Sequence, residues 1–325
     1  MATATAAPDA ITTLKFYPKQ SAIRRYFALW YFTTLLIVWN LLGHLFLGFE
    51  QSHLQSIVGV TSAIILQMFL EWIDARVNNR KVRFAGSWAD FVNFLPPAII
   101  PGLALTMLLY PNERLMPVLF GVGVAMCSKV LFRAPVGDGK TQHIFNPSNL
   151  AIVVTLLLFP AIGVAPPYHF TENLTGIWHW VLPGIVLTTG LIVHGLFTGR
   201  LVLVVTWLVA FVIQGQLRAW YFGTSPIVPL TPMTSAAFMV FTLYMIPDPA
   251  TTPVQPLRQV LFGIAIAAVY GLLLVNHVVY GLFVALVIVC GLRGVGLWIW
   301  QAWQGVRANK EEGAIADGAK RVSAA

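Results

Sequence analysis

Long apolar runs separated by short polar breaks dominate the chain. Ten of them approach the ~20 mostly apolar residues that a membrane helix needs: 27–49, 54–73, 91–110, 115–132, 144–164, 177–197, 200–218, 230–246, 258–275 and 278–292. The last runs on into an aromatic stretch with Trp298, Trp300 and Trp303, a composition typical of a membrane interface. The pattern predicts an all-α integral membrane protein of about ten transmembrane helices. Residues 1–26 form an N-terminal tail, 27–303 the membrane domain, and 304–325 a loose polar C-terminal tail. Residues 1–25 lack the apolar core and cleavage site of a signal peptide and are expected to be retained.

Charge sharpens this picture. Only 10% of the 325 residues are charged and 58% are apolar, against roughly a quarter charged in soluble domains. Soluble-enzyme, nucleic-acid-binding and disordered classes are therefore excluded, and the partner implied is a lipid bilayer. The net charge of +8 is explained by topology. With the N-terminus in the cytoplasm, every Lys and Arg except Arg114 and Arg218 falls in a cytoplasmic segment. Both termini are thus expected to be cytoplasmic. Cys127 and Cys290 lie in apolar runs and read as inert buried thiols.

Prolines interrupt two of the ten segments. The third contains Pro96, Pro97 and Pro101; the eighth is entered through Pro226, Pro229 and Pro232 and left through Pro247-Asp248-Pro249. Breaks in the third and eighth of ten segments suggest two inverted five-helix halves, with broken helices three and eight flanking a midplane site. Kinks in packed helices are the plainer explanation.

Candidate chemistry gathers in two places. The loop 128–149 carries Lys129, Arg133, Lys140 and His143 around a Gly-Asp-Gly turn. Asn146-Pro147-Ser148-Asn149 then opens the fifth segment, with Asn146 expected to cap the helix and Pro147 at its first position. A positive helix end beside Lys140 and His143 suits a phosphate or carboxylate, although an ordinary cap in a basic loop explains the same residues. The second place is Pro247-Asp248-Pro249-Ala250-Thr251-Thr252, where Asp248 is expected to form a turn or to hold a cation or partner subunit. Other ionisable residues near the apolar zone are His44, Glu71, Asp90, His179, His194 and His277. Glu71 and Asp90 are expected to pair with the basic loop between Arg76 and Arg83. No pattern for a haem, a metal, a catalytic triad or a P-loop occurs.

In order and spacing, these motifs over residues 25–295 resemble the RnfD/NqrB family, the membrane subunits of bacterial ion-pumping, flavin-containing electron-transport complexes. The residues that carry the resemblance are Phe145-Asn146-Pro147, the closing Phe159-Pro160, the Pro96-Pro97 element and Asp248-Pro249-Ala250-Thr251-Thr252. The version Gly137-Asp138-Gly139-Lys140 with His143-Ile144-Phe145-Asn146-Pro147-Ser148-Asn149 is similar to a divergent branch, the UnbU-type proteins of enediyne natural-product clusters. The resemblance implies two inverted halves in a bacterial cytoplasmic membrane, redox partner subunits, and electron transfer coupled to Na⁺ or H⁺ movement. It also implies FMN or riboflavin, with Lys140, His143, Asn146, Asn149, Asp248 and Thr251 as cofactor-binding candidates. Family members esterify FMN to a Thr in a Ser-Gly-Ala-Thr-like site between the fifth and sixth segments. Here Ala165–Gly176 has Thr171 and Thr175 without that small-residue context, so a covalent site is not found and any flavin is expected to be non-covalent. The alternative is a transporter or channel for an ion or small natural product that has lost the cofactor. A membrane scaffold for biosynthetic enzymes is disfavoured by the short loops.

Overall fold

The computed structural model describes residues 22–137, 140–165 and 173–323, and the side chains of all of these except 22–25, 236–237 and 308–323. Helix α1 (Ala22–Leu42) ends in a π-helical turn, Gly43–Leu47. It is followed by α2 (His53–Val77), α3 (Trp88–Phe94), α4 (Pro96–Leu108), α5 (Met116–Leu131) and α6 (Pro147–Leu158). Helix α7 (Trp178–Ile192) also ends in a π-helical turn, Val193–Thr198, before α8 (Leu201–Phe222). A 3₁₀ turn (Val228–Thr234) then leads into α9 (Ala236–Val240), which continues as π-helix over Phe241–Met245. The last elements are α10 (Pro256–Val275) and α11 (Gly281–Ser323). Among the described residues there are also two small antiparallel ribbons. Strand β1 (Leu109–Tyr110) pairs with β4 (Gly163–Val164), and β2 (Arg133–Gly137) pairs with β3 (Lys140–His143).

Each predicted apolar segment falls on a helix, but they are not equal. Among the described residues seven helices are long and apolar enough to cross a membrane: Tyr26–Leu47, His53–Val77, Trp88–Leu108, Trp178–Thr198, Leu201–Phe222, Pro256–Val275 and Gly281–Arg307. An eighth is formed if Val228–Thr234 and Phe238–Met245, which meet at 80°, count as one broken span. Helices α5 and α6, of 16 and 12 residues, reach only about 24 and 18 Å at 1.5 Å per residue. That is short of the ~30 Å hydrocarbon core. Helix α6 is stopped by the Phe159-Pro160 pair, which the apolar pattern alone overran.

The surface identifies the solvent. In α8, Trp207, Phe211, Gly215 and Ala219 are buried, while Val205, Val209, Ile213 and Leu217 are exposed. Both four-residue stripes are apolar, so the outer one has no reason to face water. α10 likewise exposes Leu257, Leu261, Ile264 and Leu272. The chain is a membrane protein with its outer faces in lipid.

Inside, close helix crossings replace the hydrophobic drive that lipid removes. Where α4 crosses α2, a Cβ on Gly102 would lie 3.0 Å from Gly59 O and 3.1 Å from Val60 Cα, so only glycine permits the approach. The largest core cluster packs Trp207, Phe211, Phe238, Phe241 and Tyr270 from α8, the broken element and α10 against α6 and α11.

Three expectations need correction. The Pro-rich third span is not sharply broken. Pro96 and Pro97 occupy the first turn of α4, where no N–H is required, and α3 and α4 run together as Trp88–Leu108. Pro101 inside α4 leaves the Pro97 carbonyl without its helical donor, and the Lys129 ammonium donates to that oxygen. Asp90 does not pair with the basic loop; it forms a capping box with Ser87, whose N–H donates to Asp90 Oδ2 at 2.8 Å. Glu71 does pair as expected, with Arg80 at 2.5 Å and Arg83 at 2.6 Å. The C-terminal segment is not loose but continues α11 to Ser323, because its Ala, Glu, Lys and Arg residues are good helix formers.

Cross-links order the ends of the helices. Ala165 N–H donates to Leu108 O, Tyr110 OH to Glu50 Oε2, and Gln51 Nε2 to Met107 O. The loops after α1, α4 and α6 therefore share one end. The opposite end holds Arg80, Arg83, Lys129, Arg133, Lys140, Arg200, Arg258 and Arg293, and is called the basic end below.

Candidate functional site

The site at the basic end is built on irregular backbone. A π-helical stretch such as Phe241–Met245 breaks the regular ladder, and such stretches recur at functional sites. Side chains from three other elements bond to it. The His194 imidazole approaches Leu243 O through Nε2 at 2.5 Å. Trp207 Nε1 donates to Thr242 Oγ1 at 3.0 Å. Asn146 Nδ2 donates to Met245 O at 3.3 Å.

Asn146 holds its own helix at the same time. As the sequence predicts, it caps α6 with Pro147 at the first position: its Oδ1 accepts from Asn149 N at 3.1 Å and from Ser148 Oγ at 2.8 Å. Asn149 follows one turn on, 1% exposed, with Nδ2 donating to Phe283 O of α11 at 2.9 Å. Its Oδ1 is buried and has no hydrogen-bond partner among the described residues. An orphaned buried acceptor is costly, which singles Asn149 out within the site.

The Asp-Pro element sits beside this. Asp248 Oδ1 accepts from Ala250 N at 2.9 Å, closing the expected Asx turn. Its backbone oxygen accepts from Thr251 N, Thr252 N and Thr252 Oγ1. Burial pushes the Asp248 carboxyl above the usual carboxylate range. The Ala250 and Thr251 donors and the nearby charges of Arg200 and Lys129 oppose that rise. Thr251 is 1% exposed, and its carbonyl accepts from Arg293 Nη1 at 2.9 Å.

The β2–β3 hairpin lies against this loop. Gln142 Nε2 donates to Pro249 O at 3.0 Å, while Gln142 Oε1 accepts from Arg293 Nη2 at 3.1 Å. His143 stands opposite Arg133 in the ribbon, with Nδ1 3.4 Å from Arg133 Nη1. Trp298 of α11 donates to Arg133 O at 3.1 Å.

Of the six sequence-predicted residues, the structure brings Asn146, Asn149, Asp248 and Thr251 into one buried region where α6, α11 and the broken element meet. His143 is on its rim. Lys140 is exposed near the hairpin tip, paired with Gly137. Asp138 and Gly139, with Thr171, lie outside the described residues.

Sequence reasoning missed Arg200, Gln142, Gln259 and Arg293. Arg200 is 2% exposed and bonds Thr252 Oγ1 through Nε at 2.9 Å and Thr198 O through Nη1 at 3.3 Å. Gln259, fully buried, joins Gly199 O, Val254 O and Leu203 N. The two arginines were counted among the charges that set topology. An Arg directly before an apolar run gives no sign of whether it points inward. Charged side chains buried at a membrane boundary mark function by default, and here both arginines bond the Asp-Pro loop, Arg200 at the Thr252 hydroxyl and carbonyl and Arg293 at Thr251 O.

Compared with known proteins, no family model matches the chain and no curated protein is significantly similar to it.

Proposed function

We propose that the protein is a membrane subunit of the RnfD/NqrB kind, carrying a non-covalent flavin and passing electrons between redox partner subunits, with Na⁺ or H⁺ movement coupled to the transfer. On this reading the basic end is cytoplasmic and the membrane is the bacterial cytoplasmic membrane. On the same reading it serves enediyne-type natural-product biosynthesis, which the UnbU-like motif variant supports. The observation that carries the reading is the bond from Asn146 to Met245 O. It ties the Phe145-Asn146-Pro147 element to the residue three positions before the Asp248-Pro249 element, two of the elements that carry the family resemblance, at one buried place.

A flavin supplies the redox chemistry and the protein supplies position and electrostatics. The residues present favour an uncharged ring over a phosphate. Arg200, Arg293 and Lys129 donate to backbone carbonyls, and Lys140 is exposed. The unpartnered atom is an acceptor, Asn149 Oδ1, which suits an N–H donor such as the imide of an isoalloxazine. Riboflavin fits these residues better than FMN.

The same reading includes two inverted halves, and several features support it. The first helix of each half, α1 and α7, ends in a π-helical turn closed by a left-handed glycine, Gly48 or Gly199. Each turn carries a histidine at its second position, His44 or His194. Helix α5 packs on α2 and α6 as α10 packs on α8 and α11.

The test is to purify the full chain, extract it with acid and identify any flavin. Riboflavin in about one copy per chain, lost in Asn149→Leu while the protein stays folded, is expected. Folded wild-type protein without flavin sinks the redox reading. A second reading, transport without a cofactor, is favoured by the 80° break in the eighth segment and by the buried unpartnered atoms Gln51 Oε1, Gln55 Oε1 and Ser56 Oγ. A liposome flux assay on flavin-free protein decides it.

A further inference from the structure

At the end opposite the basic one, α8, the Val228–Thr234 turn and the end of α10 line a half-open cavity of ≈ 440 Å³. That volume is ordinary for a small-molecule site. Phe222, Pro229, Pro232 and Leu274 give it apolar walls, Arg218 and His277 give it polarity, and its lining contains no carboxylate.

Arg218 is held in place rather than left to wander. Its Nε donates to Gln214 Oε1 at 2.9 Å, and Gln214 Nε2 donates to Phe211 O at 2.9 Å. Gly271 makes the room for this, since a Cβ there would stand 2.8 Å from Gln214 Oε1. Among the described residues no carboxylate pairs with Arg218 and its two terminal nitrogens make no hydrogen bond. The other arginines with described partners at half-buried positions donate through those nitrogens, as Arg293 and Arg80 do. A guanidinium oriented through one edge presents its remaining donors as a fork, the geometry that takes a carboxylate or phosphate bidentately. His277 reaches the same cavity from a left-handed backbone position, φ 59°, where a helix end ordinarily uses glycine or asparagine.

We propose that this cavity binds an amphiphilic oxyanion, its carboxylate or phosphate on Arg218 and its hydrocarbon or ring body against Phe222, Pro229, Pro232 and Leu274. The ligand comes either from the lipid headgroups of that leaflet or from a free organic acid; the two share the chemistry that Arg218 reads. The site lies away from Asn149 and Asp248, and does not depend on the redox reading.

The test uses the full-length protein in non-ionic detergent. It is titrated separately with decanoate and with dioctanoyl phosphatidylglycerol, and occupancy is read by native mass spectrometry. At least one probe is expected to saturate a single site. Arg218→Gln weakens it about tenfold or more, as loss of a charge-assisted pair implies. Leu274→Trp, which fills the cavity and leaves Arg218 in place, does the same, and Arg114→Gln does not. Binding of decanoate alone identifies a free acid as the source, and of the phospholipid alone a headgroup. Binding of neither probe to the wild type overturns the proposal, as does retained affinity in either folded variant. If Arg218→Gln fails to fold, Leu274→Trp carries the decision.

Discussion

Replacing Asn146 by Ala perturbs the junction on which the account depends, and its cost follows from three bonds. The cap to Asn149 N is worth about 1 kcal/mol. The bond from Nδ2 to Met245 O adds about 0.6 kcal/mol, the average for hydrogen bonds between membrane helices. Ser148 Oγ, buried, loses its acceptor, a further cost of about 1 kcal/mol. The total expected is about 2–3 kcal/mol. Asn146→Asp keeps the acceptor for the cap but turns a buried carboxylate oxygen toward Met245 O, so it does not recover the loss of that bond. The assay is reversible unfolding in mixed micelles titrated with sodium dodecyl sulfate, followed by tryptophan fluorescence. Lys140→Ala is the control, expected to stay within about 0.5 kcal/mol as an exposed change. If Asn146→Ala and Lys140→Ala unfold together, Asn146 does not tie α6 to the π-helical stretch and the reasoning fails.

Other outcomes follow from the same geometry. Lys129→Met strips the donor from Pro97 O in α4 and should cost about 1–3 kcal/mol, measured in the same titration. Glu71→Ala should destabilise more than Asp74→Ala, because the Glu71 side chain is 2% exposed against 54% for Asp74, and thermal melts in detergent rank the two. Asp248 gives a pH signature. Its folded-state carboxyl titrates above the unfolded one, so the stability it contributes is present below the unfolded pKa and is lost as pH rises through the folded value. Asp248→Asn should therefore gain on the wild type as pH rises from the ordinary carboxylate range, about pH 4, through the raised folded value, and a difference that is flat or shrinks with pH would refute the assignment.

The fold was legible to the extent that it depends on local sequence. Apolar runs marked every helix because a lipid-facing stripe and a core stripe are both hydrophobic, as the two faces of α8 show. Asn146-Pro147 announced the start of α6, since a cap and a first-turn proline are local devices. The prolines before Met233 marked a true break, whereas Pro96 and Pro97 proved harmless where they fell at a helix start. Length misled where a run continued past its helix, as at Phe159-Pro160. What was not legible is tertiary. The meeting of Asn146 with Met245 and the inward turn of Arg200 and Arg293 depend on how helices pack. Asp90 went to Ser87, three residues away, in preference to the basic loop, because a capping box needs no loop ordering. The cavity at Arg218 left one trace in the sequence, one of the two arginines, with Arg114, on the side where the chain otherwise avoids them.

The central claim, a non-covalent flavin serving electron transfer, is tested most directly by the visible absorption spectrum of the purified full-length protein before and after reduction with dithionite. The account predicts a flavin band in about one equivalent per chain that bleaches on reduction, returns on reoxidation, and moves into solution when the protein is denatured. A colourless, folded protein would contradict it.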